Sequence, residues 1–289
     1  MSFEASELIL NEDQSIYHLN LHPEDVAETV ILVGDPGRVA KVSAYFDSLD
    51  VEKSKREFVT HTGFFRGKRI SVVSTGIGTD NVDIVLNELD ALVNIDFKEK
   101  KVREPLTRLN LIRLGTSGAI QPDIPVGSIV LSELAIGFDG LLQFYDSGKV
   151  QLADVQFAFL EYTGWSVLKP VPYVVRADPE LCNRLKSETI INGFTATNSG
   201  FYGPQGRSLR LELEDPEIHQ KLASFRHRGL RITNMEMETA GIFGLAALLG
   251  HAATAVNCIL ANRPNGTFSQ EPAKDIDRLI RYTLEKLTS

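Results

Sequence analysis

Residues 30–42 read VILVGDPGRVAKV. Val30 to Val33 form an aliphatic, β-branched run of strand type, and Gly34 permits a tight turn. Asp35 is an N-cap acceptor and Pro36 suits a first helical position. Val39 and Val42, continued by Phe46 and Leu49, recur at helical spacing. Residues 70–82, ISVVSTGIGTDNV, repeat the design: a strand-like run from Ile70 to Val73, a glycine turn at Gly76-Ile77-Gly78, then Val82, Val85, Leu86, Leu89 and Leu92 along one helical face.

Further strand-like runs lie at Leu111–Leu114, Ile129–Leu131, Tyr173–Val175 and Ala255–Leu260. The C-terminal stretch places Ile276, Leu279, Ile280, Thr283, Leu284 and Leu287 on one face, as in a helix packed on the body. Alternating β and α units with glycine turns predict one α/β domain spanning residues 1–289, with a mixed sheet and helices on both faces. The charged stretch Asp96–Arg108 is expected to be a surface insert, and no linker or repeat divides the chain.

Composition narrows the partners. Thirty basic against 38 acidic residues leave a net charge of −8, with no basic tract longer than KEKK at Lys98–Lys101, which argues against nucleic-acid binding. The longest apolar stretch, Ala240–Leu249, is half of the roughly 20 residues that cross a bilayer, so no membrane association is expected. The acidic start MSFEASELILNEDQ lacks the features of a secretory signal, and the two cysteines, Cys182 and Cys258, have neither disulfide-framework nor zinc spacing. A cytoplasmic location follows as the expectation. His18 and His22 have no third ligand nearby, and neither HExxH nor GxSxG occurs, so no metal or serine-hydrolase site is expected.

Four segments carry candidate chemistry, and each has a structural alternative. Gly34-Asp35-Pro36-Gly37-Arg38 stands where a strand meets a helix, so its N–H groups and Arg38 can hold an anion; a plain tight turn is the alternative. Arg113 sits inside an apolar strand, where a guanidinium requires either an acidic partner or a bound anion, and Thr116-Ser117-Gly118 follow at the strand end where α/β sheets bind ligands. In Asn234-Met235-Glu236-Met237-Glu238-Thr239, the two carboxylates reach one pocket only if the chain is still extended there. They suit sugar hydroxyls, with an acidic first helical turn as the alternative. Phe201-Tyr-Gly-Pro-Gln205-Gly-Arg207 offers a ring to stack on and an amide with a guanidinium to read a planar ring such as uracil, or is a solvated turn.

In this order the motifs resemble the nucleoside phosphorylase superfamily, specifically its uridine phosphorylase branch. The likeness extends through His18-Leu19, Arg56-Glu57-Phe58, Ser74–Gly78 and Asn262-Arg263, and so covers nearly the whole chain. It implies a three-layer α/β/α sandwich around a mixed, partly closed sheet, and a pentosyltransferase that converts uridine and phosphate reversibly to uracil and ribose 1-phosphate, as in pyrimidine salvage and nucleoside catabolism. Gly34, Arg38, Arg113 and Thr116 would bind phosphate, joined by Arg56 of a neighbouring subunit. Glu238 and Met237 would hold the ribose, with a neighbour's His18 at its 5′ end. Ser117, Gly118, Phe201, Gln205, Arg207, Glu236 and Arg263 would surround the base, and Arg38, Arg113, Thr116, Glu238 and Arg207 would carry the catalysis.

The resemblance implies no cofactor, phosphate being a co-substrate, and self-association with a shared site as a dimer or an assembly of dimers. Purine-specific relatives follow the strand equivalent to Ala255–Leu260 with an Asp; Ala261-Asn262-Arg263 lacks it, which favours a pyrimidine. The turn Thr79-Asp80-Asn81 departs from the family's pattern, so no monovalent ion is assigned beside Glu57. Competing expectations are a phosphorylase for another nucleoside, a nucleosidase using water, and a noncatalytic nucleoside-binding protein on the same scaffold.

Overall fold

A computed structural model describes residues 3–289. Strand β1 (Thr29–Val33) is buried throughout, and helix α1 (Pro36–Ser43) starts at Asp35, whose carboxylate accepts the Gly37 N–H at 2.9 Å. The helix ends earlier than the spacing of Phe46 and Leu49 predicts. The Asp47 N–H bonds the Phe64 carbonyl, and the chain enters an antiparallel hairpin of β2 (Ser48–Lys55) and β3 (Phe58–Phe65). Next come β4 (Lys68–Ser74) and α2 (Thr79–Asn94), the latter burying Val82, Val85, Leu86, Leu89 and Leu92 as expected. The charged segment forms a small exposed hairpin of β5 (Ile95–Asp96) and β6 (Lys101–Val102).

Then follow β7 (Asn110–Ala119), β8 (Ile129–Gly137), α3 (Ala153–Thr163), β9 (Tyr173–Arg176), α4 (Pro179–Leu185), β10 (Ile191–Thr197), α5 (Ile218–Ser224) and β11 (Asn234–Glu236). The chain closes with α6 (Thr239–Leu249), β12 (Ala252–Asn262), β13 (Thr267–Phe268) and α7 (Pro272–Thr288). All six strands read from the sequence are present; β2, β3, β10, β11 and β13 are additional members of the main sheet. Helix α7 buries Leu279, Ile280, Thr283, Leu284 and Leu287, while Ile276 is only partly covered.

The architecture is the expected α/β/α sandwich, and its mixed sheet is partly closed. Strands β7, β12, β8, β10 and β11 pair in turn and return to β7, making a five-strand ring, from which β1, β4, β3 and β2 fan outward. Helix α6 packs on β8, β9, β10 and β12, and α7 on β12 and β7. Among the described residues no helix is long and apolar enough to cross a membrane.

Strand β7 belongs to both parts of the sheet. Along one edge it follows β12 over its whole length. Along the other it pairs β1 from Thr29↔Asn110 to Leu32↔Arg113, and then β11 at Met235↔Gly118 and Asn234↔Ala119. Leu114 to Ser117 therefore have no strand beside them on that edge. This interruption is a topological switch point, where α/β sheets open a crevice at strand ends.

Glycines mark the closest approaches. A Cβ on Gly137 would stand 2.2 Å from Cζ of Tyr173, whose hydroxyl donates to the Asp139 carboxylate. Gly137→Ala is expected to lower stability by roughly 1–3 kcal/mol through overpacking, measured by urea unfolding; an unchanged midpoint would show that Tyr173 swings away freely.

Candidate active site

A cavity of about 760 Å³ opens at the interruption beside β7. The first strand–turn–helix unit contributes Gly34, Asp35, Pro36 and Arg38, the second Gly76, Ile77 and Asn81, and β7 contributes Arg113, Thr116, Ser117 and Gly118. Met235 to Glu238 form another wall, and the 199–207 loop supplies Phe201, Gln205 and Arg207. The four segments singled out in the sequence thus meet in one place.

The centre is an ion-pair cluster. Arg113 is nearly fully buried; its Nε donates to Glu236 Oε2 at 3.0 Å and its Nη2 donates to Glu238 Oε2. Both carboxylates reach it because β11 keeps the chain extended through Glu236, and α6 starts only at Thr239. Glu236 also accepts the N–H groups of Glu238 and Thr239 at 2.9 Å and the Thr197 hydroxyl at 2.6 Å, so it caps the helix that follows it. The base contact expected of Glu236 gives way to this anchoring: although the residue lines the cavity, its oxygens are engaged by the protein. Glu238 accepts the Gly78 N–H at 2.9 Å, tying the α2 turn to the α6 turn.

Two carboxylates share one guanidinium, leaving a net charge of −1 in a buried cluster. Burial, reinforced by Glu236 and only partly countered by Arg113, raises the Glu238 carboxyl above its ordinary range. For Arg113 burial opposes the charge, but Glu238 and Glu236 outweigh it and leave the guanidinium more basic than usual. Of the two alternatives posed for Arg113, the acidic partners are present, and the side chain also lies in the wall of a ligand-sized cavity.

The neighbouring end is cationic. Arg38 is 8% exposed, and its Nη1 donates to the Leu114 carbonyl at 3.2 Å, a group the missing strand leaves free. Burial and then the charge of Arg113 lower the Arg38 pKa. A bound anion would relieve that repulsion. Gly34 brings the turn backbone close, since a Cβ there would lie 3.4 Å from the Gly76 carbonyl, and the half-buried Thr116 adds a hydroxyl.

At the opposite end, Arg207 lies over the Phe201 ring, 3.9 Å from its centroid, and donates to the Phe201 carbonyl at 2.6 Å and to Gln205 Oε1. Gln205 is buried with its oxygen engaged, so its amide nitrogen remains to donate to a ligand. Arg263 does not line this cavity. It was expected at the base but grips the Gln205 and Gly206 carbonyls, holding the loop from behind. Burial and the nearby Arg263 lower Arg207 to about 10, and burial with both arginines holds His219 down to about 4.

His18 and Arg56 do not line the cavity either. The Glu88 carboxylate holds His18 through the backbone N–H at 3.0 Å and Nδ1 at 2.7 Å. Arg56 is exposed at the β2–β3 turn with φ of +56°. Glu57 and Asn81, quoted in the sequence without a site role, also line the cavity, and Phe268 was missed there altogether. Phe268 reaches the mouth on the β12–β13 hairpin, and its separation of five residues from Arg263 gave no periodic signal. Among the described residues no cluster of three or more His, Cys, Asp or Glu could hold a metal; Cys182 and Cys258 are free and buried.

Glu238 shares its cation with a second carboxylate and is buried. Carbon-13 NMR of labelled glutamate should show a Glu238 midpoint above that of an exposed glutamate, and Glu236→Gln should move it downward by removing a like charge. A Glu238 midpoint that stays put or rises would contradict the shared-cation account.

A uridine phosphorylase of Thermococcus kodakarensis is 31% identical over 94% of this chain and 87% of its own length. A purine nucleoside phosphorylase of the DeoD type from Caldanaerobacter subterraneus is 26% identical over 93% of this chain and 98% of its own. A crystal structure of a Trypanosoma brucei nucleoside phosphorylase, described as showing uridine phosphorylase activity, superposes with a TM-score of 0.88 at 29% identity, covering 97% of this chain and 99% of that one. The profile of the phosphorylase superfamily matches residues 28–287, and the chain therefore belongs to that superfamily.

Proposed function

We propose that this chain is a uridine phosphorylase, a pentosyltransferase catalysing uridine + phosphate ⇌ uracil + ribose 1-phosphate in nucleoside catabolism and pyrimidine salvage. The observation that carries the reading is one cavity with two buried arginines, Arg38 and Arg113, at one end and the Gln205–Arg207 pair at the other. Phosphate would sit on Gly34, Arg38, Arg113 and Thr116. Glu238 would accept from the ribose hydroxyls with Met237 against the sugar, and Ser117, Gly118, Phe201, Gln205 and Arg207 would enclose the base. Glu236 and Arg263 serve that reading as anchors.

Phosphate attacks the anomeric carbon as the glycosidic bond lengthens, so the sugar gains oxocarbenium character and the base gains negative charge. The arginines preorganise the nucleophile, replacing a costly encounter in solution with a fixed approach. Gln205 and Arg207 donate to a base whose oxygens grow more negative, which stabilises the transition state more than the ground state. Arg207 is the stronger of the two donors because it is charged. Protonation of a purine leaving group, which an Asp after β12 would provide, has no counterpart in Ala261-Asn262-Arg263. The chemistry calls on no cofactor, and the reading carries with it an enzyme of the cytoplasm.

The site would be completed by a second subunit. His18 and Arg56 stand outside their own cavity with polar atoms available, as residues that serve a neighbour would.

Uracil release from uridine, followed by ultraviolet absorbance, should depend on phosphate and saturate with it, and Arg207→Ala should lower kcat roughly 10²-fold. Equal release without phosphate would replace phosphorolysis with hydrolysis. Inosine, tested beside uridine because purine-type relatives also match, should be the poorer substrate. Mixing inactive Arg56→Ala and Glu238→Ala subunits should restore part of the activity in hybrids; none after verified subunit exchange would rule out a shared site.

A further inference from the structure

The five-strand ring encloses buried polar side chains beside a small aliphatic group that includes Val130 and Ile259. Ser132 on β8, Thr195 on β10, Asn234 on β11 and Asn257 on β12 are fully buried and form a continuous hydrogen-bonded chain across it. Asn257 Nδ2 donates to Ser132 Oγ at 3.2 Å, the Ser132 and Thr195 hydroxyls lie 2.7 Å apart, and Thr195 Oγ1 donates to Asn234 Oδ1 at 3.1 Å. Thr233 Oγ1 lies 2.7 Å from the same Asn234 oxygen. Asn234 Nδ2 then donates to Ser117 Oγ at 3.0 Å, and Ser117 lines the ligand cavity.

Such a chain can run in either of two directions, because each hydroxyl donates one bond and accepts another, and a buried amide takes the orientation its network demands. Its far end decides which. A Cβ on Gly115 would lie 2.3 Å from Asn257 Oδ1, so a Gly115 Cα hydrogen points at that oxygen. A C–H···O contact of this kind favours oxygen there and would repel an NH₂ group. Reversing the chain would also leave both amide N–H donors of Asn257 buried without acceptors, against one N–H and one carbonyl oxygen now, and an orphaned N–H is the costlier of the two. With Asn257 oriented in this way, Ser132 donates to Thr195, Thr195 to Asn234, and Asn234 to Ser117. The Ser117 oxygen already accepts, and among the described residues its own hydrogen has no acceptor, leaving it for the cavity.

We propose that Ser117 donates a hydrogen bond to a carbonyl oxygen of the bound base, and that Asn234, Thr195, Ser132 and Asn257 are positioning residues whose chain, set at Gly115, fixes the direction of that donor. The inference rests on the uridine reading for the identity of the acceptor, and on the ring alone for the direction of the chain. Its role in the reaction follows from charge. As the glycosidic bond breaks, the base oxygens become more negative, and a hydroxyl that cannot turn its hydrogen inward is a donor already in place. It would add a third donor to those of Gln205 and Arg207, on a strand wall instead of a loop.

Two measurements test this. In the first, Ser117→Ala should lower kcat/KM for uridine about five- to tenfold, the scale of one hydrogen bond, with KM for phosphate unchanged. Asn234→Asp presents only acceptors to Thr195, Thr233 and Ser117, so it should turn the Ser117 hydrogen inward and cause the same loss. The double variant should be no worse than either single one. Additive losses, or a change confined to KM for phosphate, would overturn the donor role. In the second, neutron diffraction from deuterium-exchanged wild-type crystals should place the Ser117 deuteron away from Asn234; a deuteron between Ser117 Oγ and Asn234 would overturn the direction even if Asn234→Asp does not fold. A wild-type protein that folds but does not cleave uridine in phosphate removes the base carbonyl as acceptor and defeats the uridine reading, while the neutron map still decides the direction of the chain.

Discussion

A guanidinium buried in the middle of a sheet is the constraint on which the rest of this site depends. Arg113 cannot sit in β7 without negative partners, and removing one member of such a buried group costs about 3–5 kcal/mol because the others are left uncompensated. Both partners come from the Glu236–Glu238 stretch, more than 120 residues later in the chain. To bring both carboxylates to one side chain, the backbone must stay extended through Glu236 and become helical only afterwards. The same Glu236 carboxylate then satisfies the first N–H groups of α6. One charge thus fixes where a strand ends and a helix begins.

The cluster also joins the two strand–turn–helix arms of the sequence. Glu238 reaches the Gly78 N–H, so the turn before α2 is held by the residue before α6. Arg38, from the first turn of α1, caps the Leu114 carbonyl beside it. The cavity walls are therefore fixed by hydrogen bonds among elements distant in sequence, and two guanidiniums stand near each other before any ligand arrives.

Much of the fold could be read from apolar periodicity: the buried faces of α2 and α7, and the six aliphatic strands. The strands that escaped notice have physical reasons for it. β10 reads INGFTAT and β11 only NME, because their inward positions join the polar side chains that the ring encloses and are Thr and Asn where a strand pattern expects aliphatic groups. β2 is an exposed edge with a charged face, so it too lacks the signal. The overlong α1 shows the reverse error: Phe46 and Leu49 continued the helical spacing, but pairing with β3 claimed that segment. At the site, residue types and order were enough to bring four motifs together. Side-chain direction was not legible, and it alone separates two half-buried arginines: Arg207 faces the cavity, and Arg263 holds the loop that carries it. The two uses of Glu236 and Arg113, anchoring as well as lining, depend on contacts that no local spacing reveals.

The change of partners along β7 divides the cavity unequally between rigid and adaptable parts. The cationic end and Ser117 stand on strands and helix starts tied to the sheet, where a substitution disturbs several elements at once. The other end rests on residues 198–217, a stretch whose only regular structure is the short turn Gly203–Gln205, held by the two carbonyl contacts of Arg263. Beyond Asn198, whose N–H bonds the Glu236 carbonyl of β11, lengthening or rewriting that stretch leaves the strand pairings untouched. A protein built this way can exchange one base for another over evolutionary time while keeping its group-transfer chemistry intact, because the parts that would have to vary bear little of the weight of the fold.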